Sequence, residues 1–168
     1  MFMTRGSSLL AAALLLAAPA AAQPPQQNMV PPAVASPATV MSWIIGEWRG
    51  AGTMFGRASE ATLSVRPALG GRFIEFSYRA GAFEGRAFYG PTPGGGWRAT
   101  WFDNRGITFP IVAREIEQSL TSEWGSPETE QGGTLYRLAA DGRLHVTDYV
   151  RRDGALREFA THILTRAN

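Results

Sequence analysis

The amino-acid sequence points to an all-β fold, an antiparallel up-and-down barrel of about ten strands led by a short helical turn. From Gly46 onward, short runs of β-branched and aromatic residues alternate with turn signals at close, even spacing, the pattern of consecutive hairpins. Only "ATVMSWII" (38–45), ahead of the first run, has helical character, enough for a turn or two. A chain of hairpins without a long covering helix leaves unpaired edges at both ends, and closure into a barrel removes them.

The first strand is expected over 46–54, where Trp48, Gly50, Gly52 and Met54 share one face by the two-residue period. Glycines on that face leave room for a cavity or for a close-packed neighbour. The second run, 58–66, ends at "RPALGGR", whose proline and glycines make a turn. In the third, 72–79, Ile74, Phe76 and Tyr78 oppose Phe73, Glu75, Ser77 and Arg79. The fourth, 83–89, is followed by "GPTPGGG". The fifth, 97–103, sets Trp97, Ala99, Trp101 and Asp103 against Arg98, Thr100 and Phe102, and ends at "DNRG". Runs at 107–116 and 118–124 follow, then the longer turn "SPETEQGG". The last three runs, 134–139, 143–151 and 156–166, are joined by Asp141-Gly142 and Asp153-Gly154. Asp-Gly is the preferred chemistry of a tight hairpin turn, whose two central residues need positive φ.

Upstream, "MFMTRGSSLLAAALLLAAPAAAQPPQQ" carries one arginine, an apolar run from about Leu9 to Ala18, and small residues before Gln23. That is the layout of a secretory signal peptide over residues 1–22, with Ala20 and Ala22 supplying the small-x-small cleavage pattern. The apolar run falls short of the roughly 20 residues that cross a bilayer, so no membrane span is expected. Residues 23–37, rich in proline, alanine and glutamine, read as a flexible linker, and 38–168 has the length of one ordinary domain. The expected location is the periplasm or the cell exterior.

Composition removes several function classes. The chain has no cysteine, which excludes disulfides, thiolate metal sites and cysteine nucleophiles. Its 16 basic side chains are all arginine, face 14 carboxylates, and are spread along the chain, so no basic patch for nucleic acid is visible. Loss of Arg5 with the leader brings the remainder within about one charge of neutral. No G-x-S-x-G elbow, H-E-x-x-H helix or phosphate loop is present.

A helical turn, then G-x-W at Gly46 and Trp48, then Arg166 in the closing "HILTRAN" resembles the signature of the calycin superfamily, the lipocalins and their relatives. The resemblance implies that Trp48 plugs one end of the barrel and that Arg166 lies across its indole. "LGGRFIEFSYRAGAFEGRAFYG", "WRATWFDNRG" and "YRLAADGRLHVTDYVRRDGALREFATHILTR" resemble the exported lipocalin-like proteins of a domain of unknown function. That resemblance covers most of the domain and implies the fold, with no catalytic residues attached. A looser resemblance to nitrobindin-like haem barrels rests on the G-x-W start, the strand number and a late histidine, for which only His162 fits.

The candidate ligand-binding residues are Trp48, Met54, Phe76, Tyr78, Trp101 and His162, an aromatic set with a few polar atoms of the kind that lines small-molecule pockets. His162 shares a face with Ala160, Leu164 and Arg166, whereas His145 belongs to no metal-binding cluster. Glu75, Glu84, Asp103, Glu123, Asp148 and Glu158 lie in or beside strands, and any that point inward are open to acid–base work if burial raises their pKa. The expected function is binding of a small, largely apolar molecule without catalysis and without a cofactor. Haem binding through His162 is the alternative, and a structural or protein-binding envelope role is a third.

Overall fold

The computed structural model describes residues 36–167; the expected leader and nearly all of the expected linker lie outside the described residues. The described residues form one short helix, α1 (Pro37–Val40), and ten strands: β1 (Gly46–Met54), β2 (Arg57–Ala68), β3 (Phe73–Ala80), β4 (Phe83–Pro91), β5 (Trp97–Asp103), β6 (Thr108–Ile116), β7 (Ser119–Gly125), β8 (Gln131–Leu138), β9 (Leu144–Arg152) and β10 (Ala155–Arg166). Ser36 caps α1, its side chain accepting from the Thr39 amide, and proline occupies the first turn, where no amide donor is needed. Each strand pairs antiparallel with its chain neighbours, and β1 closes on β10 with Trp48 opposite Arg166 and Gly52 opposite His162. None of the described residues forms a helix long and apolar enough to cross a membrane.

Turn chemistry departs from expectation in two places. Asp153 and Gly154 both take positive φ, 52° and 77°, and make the two-residue hairpin turn. At Asp141-Gly142 only the glycine is left-handed. There the chain makes a longer turn: the Asp141 carboxylate accepts from the Arg143 amide, and Ala139 pairs with Arg143. The "GG" of "SPETEQGG" lies inside β8 and not in the turn, because the Trp124 ring and the Tyr149 carbonyl press against Gly132 where a Cβ would stand.

Alternation places Trp48, Leu63, Val65, Ile74, Phe76, Leu120, Leu144 and Leu164 inside the barrel, all buried. They fill the half nearest α1, and Met41 and Ile44, fully buried, cover that end. Trp48 is the stopper: its indole Nε1 donates to the Ile44 carbonyl at 2.8 Å, and the Arg166 guanidinium carbon lies 4.3 Å from the centre of its ring. Arg166 also donates to the carbonyls of Trp43 and Ile45, tying the last strand to the covering turn. Gly46 must be glycine: its φ is 141°, and a Cβ there would overlap the Arg166 guanidinium. Glycine, indole and guanidinium thus interlock, a cation–π contact with its hydrogen bonds satisfied by backbone.

Candidate functional site

Because odd-numbered strands run away from the sealed end, the turns β1–β2, β3–β4, β5–β6, β7–β8 and β9–β10 gather at the opposite end. There the barrel is hollow. A cavity of about 230 Å³ is bordered by Met54, Tyr78, Tyr89, Trp101, Phe109, Trp124, Tyr136, Thr134, Ser122 and Asp148, with Phe55, Phe83 and Phe159 at its rim. Phe76 lies one step deeper on β3, its ring 4.6 Å from Tyr89 and 5.5 Å from Tyr136 between centres. Other rings pair around the wall: Phe109 with Trp124 at 5.3 Å, Phe83 with Trp101 at 6.1 Å and Phe55 with Phe159 at 5.1 Å. Such pairs stiffen an aromatic wall beyond their area burial.

The rim carries a charge network. Arg105 pairs with Asp103 at 2.8 Å and with Glu130 at 3.7 Å, and Arg152 pairs with Glu130 at 3.0 Å. Burial pushes the Asp103 carboxyl up, but the hydrogen bonds and charge of Arg105 outweigh it and hold it below its ordinary value. These pairs link the β5–β6 and β7–β8 turns to β9 and balance the charge around the opening.

Inside, the polar groups are few. Asp148 accepts a hydrogen bond from the Thr134 hydroxyl at 2.7 Å, and burial pushes its carboxyl up to about 6 against that hydrogen bond. Burial also pushes Tyr89 up to about 12 and raises Tyr78 and Tyr136, and the charge of Asp148 adds to all three shifts. The Tyr78 hydroxyl and His162 Nδ1 are 3.0 Å apart, and burial holds the His162 imidazole below its ordinary value. Nε2 of His162 has no hydrogen-bond partner among the described residues.

Three of the six expected binding residues, Met54, Tyr78 and Trp101, border the cavity together. Trp48 lies at the sealed end, Phe76 packs below the cavity, and His162 is fully buried against Tyr78 without bordering it. Gly50 and Gly52 do share the inward face, but they do not widen the cavity. A Cβ on either would overlap backbone of β10, so they are there to let the closing strands approach. Of the six carboxylates singled out, Glu75 pairs with Arg66 on the outer wall, Glu84 pairs with Arg79, and Glu123 and Glu158 are exposed. Asp103 sits at the rim, and Asp148 borders the cavity. The sequence held a signal for it: Leu144, Val146, Asp148 and Val150 share one face, and a carboxylate in an apolar row has an unusual reason to be there. Tyr89, Phe109, Trp124 and Tyr136 were missed as cavity residues because their meeting depends on which strands face each other across the barrel.

The raised Asp148 pKa makes stability depend on pH. In the unfolded chain the carboxyl titrates near its ordinary 3.8, and in the barrel near 6. Within that window the folded state holds a proton that the unfolded state has lost, so stability falls as pH rises through it. Asp148→Asn should therefore gain on the wild type as pH increases, by about 1–2 kcal/mol between pH 4 and pH 7.5 once solvent in the cavity is allowed for. Chemical denaturation of both proteins at those two pH values checks this; a pH-independent difference would contradict it.

Compared with known proteins, the chain matches no protein-family model and no curated protein. What fold and site define is a class: a closed, ten-stranded antiparallel barrel, sealed at one end and hollow at the other.

Proposed function

We propose that this protein is an exported, lipocalin-like binder that takes a small, largely apolar molecule into the open half of its barrel and does not transform it. The observation that carries the reading is the aromatic cavity of about 230 Å³ above a solid, plugged core. Aromatic walls with a few placed polar groups are the usual make-up of small-molecule sites, and this volume suits a guest of one or two rings. Apolar burial supplies the affinity and the polar groups fix orientation. The Gly46, Trp48 and Arg166 interlock supports the calycin resemblance, and the leader over residues 1–22 supports export. The mature chain should begin at or near Gln23, which N-terminal sequencing of the protein from the envelope fraction checks.

Haem ligation by His162 has less in its favour, since this histidine is buried against Tyr78 and is not among the residues bordering the cavity. An environment-sensitive naphthalene dye should bind at micromolar concentration, be displaced by small aromatic molecules, and raise the melting temperature. At 100 times its Kd, a guest adds about 2.7 kcal/mol to stability by mass action. Absence of saturable dye binding, with no change in melting temperature, would remove the binding reading.

A further inference from the structure

We propose that the guest of this cavity carries a cationic amine and that Asp148 is its counter-charge within an aromatic cage. The proposal rests on the cavity being a binding site and adds the chemical class of what enters it.

Asp148 stands on β9 in the inward row Leu144, Val146, Asp148 and Val150. A carboxylate in an apolar wall is unfavourable unless something compensates its charge. Its side chain has one hydrogen-bond partner, the Thr134 hydroxyl, and among the described residues it takes part in no salt bridge. The cations nearest the opening are already engaged: Arg105 holds Asp103 and Glu130, and Arg152 holds Glu130. Of the charged side chains that border the cavity, Arg105, Glu130 and Arg152 pair with one another at the rim, and Asp148 is the one without an ionic partner among the described residues.

The groups facing this carboxylate suit an ammonium. Tyr78 from β3, Tyr89 from β4 and Tyr136 from β8 border the cavity and feel its charge, and His162 from β10, behind Tyr78, is held below its ordinary pKa by burial. The three tyrosines are neutral phenols at pH 7.5, so none competes with Asp148 for the negative role. Aromatic faces attract a cation through the ring quadrupole, most strongly in a site shielded from water. Trp101 and Phe109 complete the wall against which the guest's apolar part lies. An anionic guest would meet Asp148 with like charge, and a neutral one would leave the carboxylate uncompensated.

Three probes of matched shape separate these cases: phenethylamine, phenethyl alcohol and phenylacetate, titrated calorimetrically into the mature protein at pH 7.5. Phenethylamine should bind about tenfold or more tightly than phenethyl alcohol, and phenylacetate most weakly. The amine's advantage should shrink when the pH is lowered to 5, as Asp148 takes up a proton. Asp148→Asn should erase it, and the variant's circular dichroism spectrum and cooperative melting show that it is folded. Equal or tighter binding of the alcohol by the wild type, or an amine preference that survives Asp148→Asn, would overturn the proposal. No binding of any of the three while the naphthalene dye still binds would overturn the amine assignment alone. Failure of the dye as well would remove the cavity-binding reading with it.

Discussion

Trp48→Ala is expected to destabilise the domain by about 3–5 kcal/mol, the range for truncating a large buried aromatic. The indole is 2% exposed, packs under Met41 and Ile44, and donates to the Ile44 carbonyl, so its loss leaves a void and an orphaned acceptor. Arg166→Ala should cost about 1–2 kcal/mol, since the guanidinium is exposed on one side and contributes through its contact with the indole and its carbonyl partners. The two losses should not add, because once the ring is gone the guanidinium has nothing to lie across. Urea denaturation of the two single variants and the double variant checks this. Additive effects would mean that the 4.3 Å stacking carries no energy.

Gly52→Val should cost about 3 kcal/mol or more, at the upper end of overpacking, because what it meets cannot swing aside. A Cβ at that position overlaps the Thr161 carbonyl oxygen and crowds the His162 Cα, both backbone atoms of β10. Relief requires β1 and β10 to separate, and this pair is the seam that closes the barrel. An opened seam presents two unpaired edges, so the variant should also associate during size-exclusion chromatography. Gly94→Ala is the matching control: no atom lies within 4 Å of its Cβ position, and its effect should stay within about 0.5 kcal/mol. A Gly52 variant as stable as that control would show the seam is slack.

The strand order and the division of β3 and β5 into two faces were legible because period-two patterning is a local property that survives without knowing the partner strand, whereas which face turns inward depends on how the sheet closes. The Trp48 and Arg166 contact was legible for a different reason: the resemblance to the calycin signature implies it, and the closed barrel brings the first and last strands together. Glycine was the residue most easily misjudged. In sequence it signals a turn or spare room, yet Gly50, Gly52 and Gly132 are bare where another chain segment presses on them. That is a tertiary fact, set by how sharply the sheet curls. The cavity was legible only in its composition. Tyr89, Tyr136 and Trp124 meet around it through the stagger of ten strands, which no single run encodes. Asp148 stood among six carboxylates, and its apolar neighbours at every second position were the available clue.

The five tryptophans are placed to report which end of the barrel takes the proposed guest. Trp101 and Trp124 border the cavity, whereas Trp43, Trp48 and Trp97 belong to the sealed half. In a proton–nitrogen correlation spectrum with indole N–H groups assigned, titration with a small aromatic amine should move the Trp101 and Trp124 signals saturably and leave that of Trp48 in place. Saturable movement of Trp48 with Trp101 and Trp124 unmoved, or no saturable movement at any of the five, would contradict a binding site in the open half of the barrel.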